Sequence, residues 1–366
     1  MRHARALLPY LAAGIVIAGA SIALVLGSVA PGETAASPGG ATVRKTPELS
    51  ATGRLAYWRQ NPAGAFVLWV ANFDGSSPRP LITLAPSASR PFGTRWTADG
   101  RGVGFVSDLG ISVIGLDGSR FDIAVPAAVR NAGFRVVDHR WSPSGAKVAA
   151  TVYRSTDGKS EVYFASRERR ELARAGDLGS ASVGDWINED EVLVESTTGG
   201  LNAVRENGAA RRLFDQSAAS PFFDGRRIYF LVGAITGGAD GGPILVNSPA
   251  VWSVAVDGKD ARREDRLGLG GNVRLDGRWP DGRYLVHVGS DATQYLSGNG
   301  LVSLQGSTVL RRVVVSADRK AAVGFSGVRL IRIDLSKGPI PAENAFVVLL
   351  DGIVGADAWV PRGPVL

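Results

Sequence analysis

A short tryptophan-led turn that keeps returning limits this chain more than any other feature. RWTADG begins at Arg95, RWSPSG at Arg140 and RWPDG at Arg278, and each runs into a strand-like stretch such as KVAATVY. DWINED at Asp185 keeps the tryptophan without the glycine. SPFFDGRRIYFLV from Ser220 and VVSADRKAAVGF from Val314 keep the turn and strand without the tryptophan. A last copy, AWVPRG, starts at Ala358. From Trp96 through Trp141, Trp186, Pro221, Trp279 and Val315 to Trp359, the spacings are 45, 45, 35, 58, 36 and 44 residues. A recurrence of roughly 40–50 residues made of short strands predicts a β-propeller.

Each unit reads as four strands. Around Trp141 they are VVDHRW, KVAATVY, SEVYFAS and RRELAR. The Asp-Gly pairs at 74–75, 117–118, 157–158 and 257–258 supply the positive backbone angles of tight hairpin turns. The two ends of the repeat region are complementary. GRLAYW, FVLWVANFDG and RPLITL lack an innermost strand, and AWVPRG supplies one. Joined, they make a complete blade and remove two open sheet edges. The expected fold is all-β: a propeller of about seven four-stranded blades over residues 53–366, closed between its N- and C-terminal strands. Residues 289–314 are crowded, which keeps six and eight blades open.

Ahead of the repeats, residues 7–30 hold no charge in 24 positions. As a helix they would span about 36 Å, enough to cross a hydrocarbon core of about 30 Å. Arg2, His3 and Arg5 precede them, so residues 1–6 are expected in the cytoplasm and everything after the helix outside it. The alternative is a secreted protein cleaved near Ser28-Val29-Ala30, although Pro31 follows directly. Residues 31–52 are rich in Pro, Gly, Ala, Ser and Thr and read as a flexible linker. The sequence has no cysteine, which excludes disulfides, thiol chemistry and a lipid-bearing cysteine. The net charge of +7 drops to +4 once Arg2, Arg5, Arg44, Lys45 and Glu33 of residues 1–46 are set aside. That speaks against a nucleic-acid partner, which calls for a concentrated basic face.

The W-[ST]-[PA]-[DS]-G turn, followed by a strand and a later Asp-Gly hairpin, resembles the WD40-like repeats of the TolB family. Related repeats form the propeller of prolyl oligopeptidases. The likeness is most specific at Trp96–Gly100, Trp141–Gly145 and Trp279–Gly282. It implies a propeller over residues 53–363. TolB proteins carry an α/β domain before the propeller, and here an apolar segment and linker stand in its place. The family's lipoprotein partner therefore does not carry over.

Catalytic signals are sparse. Gly324-Phe325-Ser326-Gly327 is the nearest approach to a hydrolase elbow and has the wrong spacing. Only His139 and His287 lie beyond the first few residues, too few for a histidine zinc cluster. No metal and no cofactor are expected. Two groups remain as candidate binding residues. Arg95, Asp138, His139, Arg140, Asp185 and Arg278 stand just before the motif tryptophans, on strands expected to line an axial channel, with Asp276 and Asp357 nearby. Such a lining either binds a small ion or pairs internally to staple the blades. Arg90, Arg130 and Arg135 lie in the long crossovers 85–94 and 124–137. These share a face with the glycine-rich insertion 233–249, and that face is the expected docking surface. The function expected is a non-enzymatic, membrane-anchored scaffold for a protein or cell-wall partner. A propeller lyase or hydrolase acting on a sugar or peptide, or a small-ligand sensor, is the alternative, and an accessory propeller for a separately encoded partner is a third.

Overall fold

In the computed structural model the described residues are 49–361, apart from 87, 197–199, 236–245, 268–272, 289–292, 298–300, 304–309 and 339–344. The chain divides into two compact units, Met1–Thr46 and Pro47–Leu366, and only the second contains described residues. The apolar segment 7–30 lies outside them, as does most of the linker. Among the described residues no helix is long and apolar enough to cross a membrane. Residues 49–52, ahead of the repeat pattern, pack against the propeller. Leu49 packs against the core beside Trp96, and the Ser50 amide donates to Asn72 Oδ1 at 2.8 Å.

The strands run in antiparallel groups of four. The first sheet contains β1 (Arg54–Gln60), β2 (Phe66–Asn72) and β3 (Arg79–Thr83). Next come β4 (Phe92–Trp96), β5 (Gly102–Ser107), β6 (Gly110–Gly115) and β7 (Arg120–Ala124). A five-residue helix, α1 (Ala127–Asn131), crosses to β8 (Phe134–Trp141), β9 (Lys147–Arg154), β10 (Lys159–Ser166) and β11 (Ala173–Arg174). The fourth group is β12 (Ala181–Trp186), β13 (Val192–Ser196), β14 (Gly200–Val204) and β15 (Ala210–Phe214).

An eight-stranded sheet follows. It joins β16 (Ala218–Phe223), β17 (Arg227–Ile235), β18 (Val246–Ala255) and β19 (Arg262–Arg266) to β20 (Val273–Arg278), β21 (Tyr284–Val288), β22 (Thr293–Ser297) and β23 (Leu301–Ser303). One residue pair, Val246↔Val273, links the halves. The last group is β24 (Arg311–Val315), β25 (Ala321–Ser326), β26 (Arg329–Asp334) and β27 (Phe346–Leu350). Finally β28 (Ile353–Trp359) returns to pair with β1, giving a first sheet ordered β28-β1-β2-β3. The first strands of successive groups touch in the cyclic order β28, β4, β8, β12, β16, β20, β24 and back to β28. The architecture is an all-β propeller closed by its terminal strands.

Local chemistry accounts for the repeat. In the turns after β4, β8 and β20, Gly100, Gly145 and Gly282 sit at φ of +67°, +72° and +90°. Their amides close the turn onto the carbonyls of Thr97, Ser142 and Trp279 at 2.7–2.9 Å. The degenerate copy after β24 places Arg319 in the same role, at φ +59°, with its amide bonded to Ser316 O at 2.9 Å. A left-handed non-glycine residue costs about 1–2 kcal/mol, of which glycine's extra chain entropy returns part. Arg319→Gly should therefore stabilise the protein by about 0.5–1 kcal/mol, read as a raised melting temperature. An unchanged or lower value would show that the Arg319 turn is unstrained.

The tryptophans fill the spaces between sheets. Trp141 joins Val106, Ile111 and Val113 of one sheet to Val148 and Ala150 of the next. Trp186 packs with Ala149 and Phe164, Trp96 with Trp58 and Leu68, and Trp279 with Leu310 and Ile331. Trp186 Nε1 donates to Arg140 O and Trp359 Nε1 to Ala98 O, each at 2.9 Å, so two of these rings also tie neighbouring sheets by hydrogen bonds.

Candidate binding face and axial cluster

The strand directions sort the connections onto two faces. One carries the turns that follow the first strands, together with the chain's entry at Leu49–Arg54 and the end of β28. Arg54 Nη1 donates to Gly100 O there at 2.6 Å, and its guanidinium lies 5.1 Å from the Trp359 ring centre. The opposite face carries the crossovers and the hairpins between second and third strands. On this crossover face a cavity of about 470 Å³ opens between the second and third sheets.

Each wall of that cavity has a local cause. Phe92, at the start of β4, is 48 % exposed at the mouth. The two-residue turn Asp108–Leu109 between β5 and β6 places Asp108 and Ser107 on one side. The crossover supplies Val125 and Arg130, which lies in the last turn of α1. The start of β8 adds Phe134 and Arg135, and Arg90 comes from the segment before β4. All three arginines of the long crossovers thus meet at one cavity. Arg90 Nη2 is tied to Val354 O at 3.0 Å. Arg130 and Arg135 are exposed and form no ion pair among the described residues. Asp108 Oδ2 accepts from Ser89 Oγ at 3.2 Å.

The insertion 233–249 is more regular than its glycines suggest. β17 runs to Ile235 and β18 starts at Val246, with Ala234↔Asn247 and Ile235↔Val246 paired, so both flanks of the insertion extend the hairpin. Residues 236–245 lie outside the described residues.

Four of the six residues before the tryptophans converge on the axis. Arg95 Nη2 donates to both oxygens of Asp138, at 3.1 and 3.4 Å, and Arg140 Nη1 donates to Asp138 at 2.7 Å. Burial alone would lower the Arg95 pKa. The carboxylates of Asp138, Asp357 and Asp185 outweigh it and push the value up. These carboxylates also accept main-chain amides: Asp138 from His139 at 2.9 Å, Asp357 from Trp96 at 2.8 Å and Asp185 from Phe223 at 3.3 Å. The last two bonds cross from one sheet to the next.

The other two residues point elsewhere. His139 is fully buried, its ring 6.1 Å from that of Trp141. It fills the space beside Gly104, where an added Cβ would stand 2.9 Å from His139 Nε2. Arg278 pairs with Asp224 at 3.1 Å and donates to Tyr229 Oη at 3.1 Å, with the Tyr229 and Tyr284 rings 5.1 and 5.9 Å away. Burial, with the Glu264 carboxylate next in weight, pushes the Tyr284 phenol up to about 12. Asp276 is held by Arg274 Nε at 2.7 Å. Among the described residues no group of three or more His, Cys, Asp or Glu is placed to hold a metal ion.

No known family description matches the chain, and no curated protein matches it. Solved structures do. An oligogalacturonate lyase from Vibrio parahaemolyticus superimposes with a TM-score of 0.55 at 11% identity, covering 79% of this chain and 92% of the lyase. A prolyl endopeptidase superimposes with a TM-score of 0.54 at 12% identity, covering 85% of this chain and 49% of the enzyme. TolB from Acinetobacter baumannii is also similar, with a TM-score of 0.44 at 17% identity over 84% of this chain and 67% of TolB. The lyase and the endopeptidase differ in activity, so what the chain has in common with them is the β-propeller fold.

Proposed function

We propose that this protein is a membrane-anchored, extracytoplasmic propeller of seven blades that binds a protein or cell-envelope partner through its crossover face and catalyses no reaction. The eight-stranded sheet counts as two blades in this reading, since a single residue pair joins its halves. What supports the binding role is the gathering of two long crossovers, the Asp108–Leu109 turn, exposed Phe92 and three arginines around one cavity. That face is opposite the one where the described chain enters the propeller at Leu49–Arg54.

A second reading is an enzyme acting on a sugar or peptide. The fold likeness to an oligogalacturonate lyase and a prolyl endopeptidase favours it. A likeness of fold at 11–12% identity does not carry an activity with it.

In-cell crosslinking of the anchored protein, followed by mass spectrometry, tests the binding role. Shortening residues 236–242 is expected to leave the melting temperature unchanged and to reduce partner recovery several-fold. Equal recovery of the same partners removes that loop from the interface. Full-length protein in washed membranes is the expected location, and processed protein in the medium would replace the anchor with secretion.

A further inference from the structure

We infer that the cavity between β4–β6 and β8 is a binding site for a small organic dicarboxylate. This rests on the crossover face being the binding face, but not on the partner being a protein. The cavity's volume of about 470 Å³ suits a small organic molecule. Phe92 lines it with exposed apolar surface, while Arg90, Arg130 and Arg135 line it with cations. Against three guanidinium groups the lining sets one carboxylate, Asp108.

Charge enters from both flanks. Arg90 stands on the segment leading into β4. Arg130 and Arg135 stand on the segment leading into β8 and on its first turn of strand. Arg174, Arg211 and Arg227 are satisfied internally, by Glu161, Glu191 and Asp260. Arg130 and Arg135 have no such partner among the described residues and face the same space. A guanidinium presents paired donors that match a carboxylate edge to edge.

Ser107, at the end of β5, also lines the cavity. The apolar lining decides between anion types. A compact phosphate could meet the guanidinium groups but would leave the exposed Phe92 ring uncovered. A carbon body with a carboxylate at each end lies against that ring and reaches both flanks.

Calorimetric titration of the full chain in detergent with isophthalate, adipate, benzoate and inorganic phosphate tests this. Isophthalate or adipate should bind at millimolar concentration or below. Benzoate and phosphate should bind about tenfold more weakly or worse, since each forfeits one charged end or the apolar contact. Arg130→Gln and Arg135→Gln should each weaken dicarboxylate binding about tenfold. Arg169→Gln, outside the cavity, should change nothing. Absence of dicarboxylate binding overturns the inference. So does phosphate binding as tightly as isophthalate, or binding indifferent to Arg130 and Arg135. Each of these leaves partner capture by the crossover face standing, because crosslinking reads that separately.

Discussion

A chain that stops at Gly355 should not fold. The missing residues include four that pair with β1: Ala356 with Tyr57, Asp357 with Ala56, Ala358 with Leu55 and Trp359 with Arg54. Leu55, Ala56 and Tyr57 are all essentially buried, so the truncation hands a row of core side chains to water. It also removes Trp359, whose ring covers Gly100 so closely that a Cβ there would stand 2.5 Å from it. The Asp357 bond to the Trp96 amide goes as well. Trp359 is half-buried, so its loss costs less than the ~3–5 kcal/mol of a fully buried tryptophan, and whole domains are held by about 5–15 kcal/mol. With the paired strand and the staple added, the loss exceeds what a ring of sheets can absorb. Circular dichroism of the truncated chain should show no cooperative melt. Gly100→Ala strikes the same closure from the other side and should lower the melting temperature while leaving the chain folded. A truncated chain that melts with the full one would mean that β28 does not hold the ring.

That closure was legible because it is written in turn chemistry. AWVPRG has a strand and turn with nothing to follow, and GRLAYW opens a group that lacks its first strand. The Asp-Gly hairpins were legible for the same reason: Gly75, Gly118, Gly158 and Gly258 all take positive φ, between +68° and +85°. The five residues of α1 were not, since one helical turn between Pro126 and Gly133 is too short to show a period. The strand character of the insertion's flanks was not legible either, since glycine and proline crowd its centre, yet pairing with the opposite strand carries the hairpin three residues beyond Val232.

The site was legible in its charges and not in their directions. Strict alternation along β8 would put Phe134, Val136, Asp138 and Arg140 on one face. The pairing with β9 slips between Val136 and Asp138, and this bulge exchanges the faces midway. Phe134 and Val136 stay in the core, His139 and Trp141 join them, and Asp138 and Arg140 turn to the axis. A register slip occurs in the pairing of every first strand with its neighbour. The tryptophan motif carries no mark of it. Arg278 shows the complementary limit. It precedes its tryptophan as Arg95 and Arg140 do, but Asp224 and two tyrosines within reach claim it. Ser107 and Phe92 were invisible as site residues, because only packing brings an ordinary strand end to the arginines of the crossovers.

Arg95→Met should destabilise the protein by about 2–4 kcal/mol, a figure set below that for a fully buried pair because both groups keep some contact with water. The Arg95 and Asp138 side chains are 19% and 29% exposed. Removing the guanidinium leaves Asp138, Asp357 and Asp185 near one another with less positive charge between them, although Arg140 still holds Asp138 at 2.7 Å. If the axial cluster is a staple, the cost arises from the uncompensated carboxylates. Arg95→Met combined with Asp138→Asn should then be more stable than the sum of the single losses, a coupling that a double-mutant cycle reads directly. If the cluster is instead a ligand site, Arg95→Met should leave stability nearly untouched. The hydrogen bonds of the three carboxylates favour the staple. Each of the three carboxylates is already engaged by a main-chain amide, and those on Asp357 and Asp185 reach across to the next sheet. Acceptors committed in this way hold neighbouring sheets in register.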